Sequence, residues 1–233
     1  YRGRHLKGVL EKNGVDLTRC KTLEGQCSYA MTTLVDGNRT FHGTRKGVNA
    51  MTEIVLDDED LAYIKNFDLA ISDCYSNLDV SEIKKIKALN IPFAYDFSEE
   101  FTEDLLKEFC PYVDFCFLSC SQQGGEEEIK ALLRRIHSWG PKIVVGTRGA
   151  DGQILFDGED FYYGKATPTE VVDTMGAGDS FTCSFCVSYV GSEKTGKERI
   201  EESLQFASRF AARVCGVHGA VGDGLTYEGE LED

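Results

Sequence analysis

The stretch D-T-M-G-A-G-D-S-F at residues 173–181 tells most about this chain. It joins a short extended run to a helical pattern that starts near Ala177. Gly176 and Gly178 carry no side chain, so the backbone can adopt unusual dihedral angles and approach a ligand closely. The N–H groups of residues 176–179 lie at a helix N-terminus, where donors without intrahelical partners attract anions. The stretch therefore predicts an anion site between a strand and a helix.

Asp179 falls in the first turn of that predicted helix, beside the anion site. A carboxylate would repel a phosphate, but it could accept the proton of an attacking hydroxyl group. Aspartate is also favoured in a first helical turn, where it interacts well with the helix dipole. The residues of this stretch alone leave both interpretations open, a proton acceptor or a helix cap.

Outward from this loop, helical and buried-strand patterns alternate from residue 58 onward. Short apolar runs between amphipathic segments predict a mostly parallel sheet with helices on both faces. The predicted helices lie at about 58–66, 79–89, 99–108, 125–138, 177–190 and 197–215. The predicted strands lie at about 69–72, 91–95, 113–118 and 142–147, followed by a hairpin of 153–156 and 161–164.

The segment 26–43 predicts a second, separate hairpin. An extended run at 26–35 is followed by D-G-N at 36–38 and a short run at 39–43, a sequence typical of a tight turn. Its faces are unusually polar, so the hairpin is expected to project from the body of the protein. The last nine residues, 225–233, form an acidic tail that is predicted to be disordered.

Composition excludes several functions. The 233 residues carry a net charge of −14, which disfavours binding to nucleic acid or to anionic membranes. No apolar run reaches the roughly 20 residues of a membrane span. The nine cysteines fall mostly in apolar stretches and predict buried thiols in a reducing cytoplasm. Because the chain opens on Tyr1 and enters a helical pattern at once, a preceding segment is expected.

One cysteine pair, Cys183 and Cys186, has the C-x-x-C spacing of redox and zinc sites. No second pair at ligand spacing accompanies it, and the pair lies inside an apolar helical pattern. A structural role is therefore favoured over metal binding.

The stretch 173–181 resembles the D-T-x-G-A-G-D-x-F signature of the ribokinase-like (PfkB) sugar kinases, and it matches every fixed position. The resemblance implies an α/β fold, a ribokinase-like doubly wound, mostly parallel sheet with helices on both faces and a small β lid. It also implies that residues 1–224 form one kinase domain, with the lid at about 26–43. In the family pattern Asp179 is the catalytic base and contacts the substrate. The anion hole consists of Gly176, Ala177 and Gly178.

The same resemblance implies ATP as phosphoryl donor. Asp173 and Thr174 would lie near the nucleotide and near a monovalent cation such as K⁺. The run V-V-G-T-R-G-A-D-G at 144–152 is, on its residues alone, an ordinary left-handed turn. In the family pattern its Thr147, Gly149 and Gly152 border the ATP phosphates and ribose. The loop 216–220, which contains His218, would close over the adenine.

The departures from the family pattern concern the substrate loop and the metal. The N-terminal G-G-x-x-x-N signature is absent, and residues 119–122 replace the N-x-x-E that helps to organise Mg²⁺. The metal ligands therefore remain unassigned. Asp173, Glu126 and Glu127 are candidates, although a solvated helix start explains the two glutamates equally well.

Three further strings resemble the fructoselysine 6-kinases: Y-D-F-S at 95–98, F-L-S at 117–119 and R-T-F at 39–41. This implies transfer of the γ-phosphoryl group to a primary hydroxyl of a sugar–amino acid adduct, with Arg39 at the substrate, in a homodimer. Two alternatives stay open, a kinase of another sugar or a nucleoside and a non-catalytic nucleotide-binding protein. Asp96 could contact substrate or nucleotide, or cap a helix starting near Glu99.

Overall fold

The computed structural model describes residues 2–35 and 38–222 and contains two separate sheets. The strands are β1 (Tyr29–Val35), β2 (Asn38–Arg45), β3 (Ala70–Asp73), β4 (Phe93–Asp96), β5 (Phe115–Ser119), β6 (Ile143–Thr147), β7 (Gln153–Phe156) and β8 (Phe161–Gly164). The helices are α1 (Arg2–Lys12), α2 (Val48–Met51), α3 (Asp58–Ile64), α4 (Val80–Ala88), α5 (Glu103–Phe109), α6 (Glu126–His137), α7 (Ala177–Gly191) and α8 (Gly196–Cys215).

The larger sheet has six strands in the order β3-β4-β5-β6-β7-β8. The first four are parallel, and β7 and β8 add an antiparallel hairpin at one edge. Helices α4, α5 and α6 make the crossovers between the parallel strands, as the alternating pattern requires. The prediction of a mostly parallel sheet in an α/β fold is therefore confirmed.

Two apolar cores lie on opposite faces of this sheet, because successive side chains of a strand point to opposite sides. On one face, α4, α5 and α6 pack against β4 and β5; the residues from these helices are Ile83, Ile86, Leu106, Ile129, Leu133 and Ile136. On the other face α7 and α8 contribute Phe181, Phe185, Ile200, Leu204 and Ala207. Helices therefore cover both faces, as predicted.

Side chains that accept hydrogen bonds from free backbone N–H groups set where several helices begin. Asp57 forms a reciprocal capping box with Asp60 at α3. At α5 the cap is Thr102, which accepts from the N–H of Leu105. The helix predicted at 99–108 thus begins four residues later than expected. Of the two alternatives left open for Asp96, the cap of a helix starting near Glu99 is therefore wrong.

The small sheet consists of β1 and β2 in antiparallel register. This confirms the predicted hairpin, although β1 starts at Tyr29 and β2 extends to Arg45. Residues 36 and 37 of the turn lie outside the described residues, as does the acidic tail 225–233. Nothing beyond backbone pairing with Leu34 is described for Arg39, whose side chain also lies outside them.

The segment before the small sheet is tied to α3 by charge. The guanidinium of Arg19 contacts the carboxylates of Asp57, Glu59 and Asp60 at 2.7–3.0 Å. Lys21 adds a contact of 3.1 Å to Asp60, which is buried. The hydrogen bond from Arg19 lowers the pKa of Asp60 to about 2. A charged carboxylate is tolerated at this buried position because its partners are cations.

The nine cysteines are all free. Cys110, Cys116, Cys120 and Cys186 are buried, which confirms a structural role for these four. Cys20 and Cys183 are exposed, so the expectation of generally buried thiols is wrong for them. No helix among residues 2–35 and 38–222 is long and apolar enough to span a membrane.

Candidate active site

Gly176 starts α7 in a conformation that only glycine adopts easily. It has φ 75° and ψ 4°, in the left-handed region. A Cβ atom at this position would stand 2.5 Å from the Cβ of Ala220. The N–H of Ser180 donates to the carbonyl of Gly176 at 2.9 Å, which closes the first turn of α7. Gly176 is thus required both by its backbone angle and by the close approach of the 216–222 loop.

The amide groups of the anion loop are not all free, contrary to the expectation from the sequence. The N–H of Ala177 donates to the carbonyl of Thr174 at 3.2 Å. The N–H groups of Gly176, Gly178 and Asp179 donate to no acceptor within the described residues. The available donors at the start of α7 therefore include those of Gly178 and Asp179, where the helix dipole also favours an anion.

Asp173 joins the anion loop to the loop that follows α8. Its side chain is buried, with 1% exposure. One carboxylate oxygen accepts from the N–H of Met175 at 2.9 Å, and the other accepts from the N–H of Gly219 at 2.7 Å. Thr174, next in the chain, is exposed. The structure therefore brings Asp173, Thr174 and the loop containing His218 together, and it gives Asp173 an organising role.

The charges of two further carboxylates, at the carboxyl edge of the sheet, act on Asp179. Asp73 and Asp96 end β3 and β4 and are direct partners in the parallel register. Successive side chains of a strand point to opposite faces of the sheet, and Tyr95 packs on the face covered by α4, α5 and α6. The side chain of Asp96, and that of its partner Asp73, therefore point to the face covered by α7. Although Asp179 is open to solvent on one side, surrounding protein partly desolvates its carboxylate. This desolvation, and then the charges of Asp96 and Asp73, raise the pKa of Asp179.

Asp96 is linked to the same helix by a hydrogen bond. The hydroxyl of Thr182 donates to Asp96 Oδ2 at 2.9 Å, and the N–H of Ser98 donates to Oδ1 at 2.8 Å. Thr182 lies one turn beyond Asp179 and is 2% exposed. Desolvation raises the pKa of Asp96, Asp73 adds to the rise, and the two hydrogen bonds oppose it.

The predicted nucleotide turn follows β6 at the same edge of the sheet. The sequence predicted a left-handed turn here, and Gly149 and Gly152 have positive φ angles of 56° and 82°. A Cβ atom on Gly152 would stand 2.1 Å from the carbonyl oxygen of Gly164. Thr147 ends β6 and donates to the carbonyl of Leu118 at 3.3 Å. Since β6 lies two strands from β4, this turn is on the order of 10 Å from the end of β4.

Gly146 and the two glutamates proposed as metal ligands have structural contacts of their own. Gly146 leaves room for Cys120, whose sulfur would stand 2.9 Å from a Cβ atom at 146. Glu126 accepts from Tyr163 at 2.9 Å and pairs with Lys130, which Glu127 also contacts. These contacts favour the helix-start interpretation of the glutamates. Within the described ranges, no group of three or more His, Cys, Asp or Glu could hold a metal ion.

A cleft of about 1900 Å³ separates the small sheet from the anion loop. One wall is formed by α1, residues 20–27 and most of β1. The opposite wall includes Asp173, Met175, His218 and Gly219. The hairpin therefore faces the predicted nucleotide loops across an open space, and His218 is exposed there.

Comparison with known proteins agrees with this arrangement. The family model described as "pfkB family carbohydrate kinase" matches residues 2–225. The chain belongs to the pfkB family of carbohydrate kinases. It is therefore a sugar kinase, an enzyme that transfers a phosphoryl group from ATP to a hydroxyl of a carbohydrate.

Two relatives of this pfkB kinase cover nearly all of it. It is 33% identical over 231 residues to the fructosamine kinase FrlD of Bacillus subtilis, covering 98% of this chain and 78% of that protein. It is 28% identical over 218 residues to the fructoselysine 6-kinase of Escherichia coli, covering 94% and 80%. The solved ribokinase of Giardia lamblia superposes with a TM-score of 0.80 at 18% identity, covering 95% and 75%, which shows the ribokinase-like fold.

Sequence reasoning missed Asp73 and Thr182. Asp73 has the same signal as Asp96, an aspartate directly after a short apolar strand. Parallel strands place their carboxyl ends at one edge, where ligands bind in such sheets. Thr182 follows Asp179 by three residues and so lies on the same helical face. What the sequence lacked was the strand register that puts these groups side by side.

Proposed function

We propose that this pfkB kinase uses Asp179 as the general base for phosphoryl transfer to a primary hydroxyl of a fructosamine, with fructoselysine the best candidate. One observation supports the base role above all: Asp179 lies in the first turn of α7, beside amides of residues 178 and 179 that have no acceptor in the described chain. A base and an anion site within one helical turn suit the attack of a hydroxyl on a phosphoryl group.

The proposed reaction takes place in one displacement. The substrate hydroxyl gives its proton to a carboxylate oxygen of Asp179 while its oxygen attacks the γ-phosphorus of ATP. The bond between that phosphorus and the β,γ-bridging oxygen breaks, which leaves ADP and a sugar phosphate ester. The N–H groups at the start of α7 stabilise charge on the transferring group. The raised pKa of Asp179 suits proton abstraction, because a more basic carboxylate takes up the proton more readily.

The remaining site residues have supporting roles in this proposal. Thr147, Gly149 and Gly152 border the phosphates and ribose of ATP, while Asp173, Thr174 and His218 shape the nucleotide loops. Ala177 helps to form the anion hole through its backbone once a ligand competes with the carbonyl of Thr174. Mg²⁺ would accompany ATP, and K⁺ is a further candidate. The described residues do not gather a metal cluster, so no step is assigned to a metal.

The hairpin of β1 and β2 is proposed as the lid of a domain covering residues 1–224. It stands across the cleft from Met175 and His218. In closing, it would exclude water and so limit ATP hydrolysis, and Arg39 of β2 would contact the sugar. A two-stranded sheet is only marginally stable alone, which supports pairing with the lid of a second copy in a homodimer. The nine free thiols suit a reducing cytoplasm.

Replacement of the base tests the mechanism. Asp179→Asn should keep ATP affinity, measured by calorimetry, and should lower kcat by about 100-fold to 10,000-fold, the usual contribution of a general base. The matched control is Asp104→Asn, which changes an exposed first-turn aspartate of α5 and should leave kcat unchanged. If both variants turn over at the wild-type rate, Asp179 is only a helix cap.

A substrate panel tests the proposed acceptor. Release of ADP should show the highest kcat/KM for fructoselysine or another fructosamine, compared with ribose, fructose and nucleosides. The two similar kinases named for fructosamine and fructoselysine support this order. A preference for ribose, fructose or a nucleoside would overturn the substrate assignment. ATP binding without turnover on any member of the panel would contradict catalysis itself.

A further inference from the structure

The hydrogen bond between Thr182 and Asp96 joins the helix of the proposed base to the central sheet. Thr182 is 2% exposed and donates to Asp96 Oδ2 at 2.9 Å. A buried hydroxyl without a partner is costly, so this bond constrains the position of α7 over the end of β4. Asp179 lies one turn before Thr182 on the same helical face. Any rotation or slide of α7 that breaks the bond would also displace Asp179.

Asp96 itself is held firmly at the end of β4. Its Oδ1 accepts from the N–H of Ser98 at 2.8 Å, and Ser98 adopts a left-handed φ of 51°. In the two residues after Asp96, the N–H of Phe97 donates to the carbonyl of Phe117, and the carbonyl of Ser98 accepts from the N–H of Ser119. The backbone after Asp96 is therefore bonded to β5, and the N–H of Ser98 in that backbone holds the carboxylate, so Asp96 can serve as a reference point for α7.

Asp96 also acts on Asp179 through its charge. Among residues 2–35 and 38–222, the titratable groups whose charges interact with Asp179 are Asp96 on β4, Asp73 on β3 and Cys183 on α7 itself. After partial desolvation, Asp96 makes the largest contribution to the raised pKa of Asp179, and Asp73 makes a smaller one. Two like charges at a partly desolvated site disfavour simultaneous ionisation. Removal of the negative charge at position 96 should therefore let Asp179 ionise at lower pH.

We propose that Asp96 is a positioning residue for Asp179, which fixes the first turns of α7 through Thr182 and places a negative charge toward the base. The inference rests on the proposed role of Asp179 as base, and it adds two residues to the catalytic arrangement. Asp96 acts through Thr182 and through its field, and it need not touch the substrate. The positioning and charge effects can be separated, because different substitutions remove one and keep the other.

Substitutions at Thr182 test the positioning effect. Thr182→Val keeps the shape of the side chain and the charge of Asp96 but removes the hydroxyl. We expect kcat to fall by about tenfold or more, since a misplacement of about 1 Å can cost on the order of 100-fold. The KM for ATP and the pH profile should stay near wild type. Thr182→Ser restores the hydroxyl and should recover most of kcat. Equal kcat in all three proteins would overturn the positioning role.

Substitution of Asp96 tests the charge effect. Asp96→Asn keeps polar atoms that can bond to both Thr182 and Ser98 but removes the charge. The acid limb of the profile of kcat/KM against pH reports ionisation of the base in the free enzyme. That limb should move to lower pH in Asp96→Asn and stay in place in Thr182→Val. An unmoved acid limb in a folded Asp96→Asn protein would overturn the charge role.

Two further measurements complete the test, thermal unfolding of the variants and turnover by Asp179→Asn. Thermal unfolding gives the Tm of each folded variant, and kcat is compared well below the lowest Tm. A loss of activity caused only by unfolding is thereby identified. Recovery of Tm without recovery of kcat in Thr182→Ser would show a purely structural bond and contradict the proposal. If Asp179→Asn keeps wild-type turnover, the proposed base fails instead. Failure of the positioning role of Asp96 can thus be distinguished from failure of the base role of Asp179.

Discussion

At the scale of single residues, the anion loop depends on two glycines, which have no side chain. Gly176 needs a left-handed φ and has no room for a Cβ atom beside Ala220. At Gly178, two residues later, a Cβ atom would meet nothing within 4 Å, and the backbone has no left-handed strain. One glycine is thus demanded by the fold itself. The other is demanded only if a ligand approaches the backbone closely.

Alanine substitution at the two glycines should separate these demands. Gly176→Ala should lower the Tm and nearly abolish activity, because the new methyl group collides with the 216–222 loop. Gly178→Ala should keep or raise the Tm, since alanine is the better helix former by about 1 kcal/mol. It should still reduce kcat/KM for ATP if phosphates contact this turn. Thermal unfolding and steady-state kinetics on both variants provide the measurement, and full activity in Gly178→Ala would contradict a close phosphate contact.

At the scale of elements, ion pairs connect the segment before the small sheet to α3. The segment before the small sheet contacts α3 through Arg19 and Lys21, which converge on the buried Asp60. Asp60 also takes part in the capping box that starts α3. Loss of this carboxylate would leave the guanidinium without its best partner and remove half of the capping box. Asp60 therefore contributes both to the start of α3 and to the attachment of the segment that leads to the lid.

Asp60→Asn should destabilise the protein by about 1–3 kcal/mol at pH 7, the usual cost of a lost hydrogen bond to a charged group. The pKa of Asp60 is about 2, below its ordinary 3.8, so its contribution to stability is complete above the ordinary value. The difference between variant and wild type should shrink as pH falls from about 4 toward 2. Urea unfolding from pH 7 downward measures it. Asp58→Asn, at an exposed neighbour, should show no such difference.

At the scale of the whole molecule, helices on both faces protect the sheet from solvent. Cys116 and Cys120 belong to β5 and the turn after it, and Cys186 lies in the core on the α7 side. These thiols are buried by different helices. Their reactivity therefore reports whether each face of the sheet stays covered.

Thiol labelling of the folded protein should follow this burial. Cys20 and Cys183 are exposed and should react before the buried thiols Cys110, Cys116, Cys120 and Cys186, which should react only on unfolding. Cys183 should react more slowly than Cys20, because partial desolvation and then the charge of Asp179 raise the pKa of the Cys183 thiol. Burial also raises the pKa of Cys120 to about 11, so little reactive thiolate forms there at neutral pH. Mass spectrometry after a short pulse of reagent gives the labelled positions. All nine thiols should react in denaturant, and fewer than nine would indicate a disulfide.

The sequence by itself determined the type and order of nearly every element in the larger sheet, because apolar periodicity depends on local spacing. It also determined the anion loop and the family, because D-T-M-G-A-G-D-S-F places glycines and a carboxylate at fixed positions. It misplaced the start of α5 by four residues, since a threonine cap and a left-handed Ser98 decide that boundary. The short helix α2 (Val48–Met51) carried no signal strong enough to be noticed.

Only the tertiary structure decided which distant residues meet at the site. Asp96 and Thr182 are 86 positions apart in the chain, and no local pattern relates them. Strand register brings Asp73 beside Asp96, and packing of α7 on the sheet then adds Asp179 and Thr182 to the same edge. Likewise, Asp173 joins two loops through amides that the sequence could not pair. Contacts of this kind depend on how elements pack, and packing is fixed by the whole core and not by any one stretch.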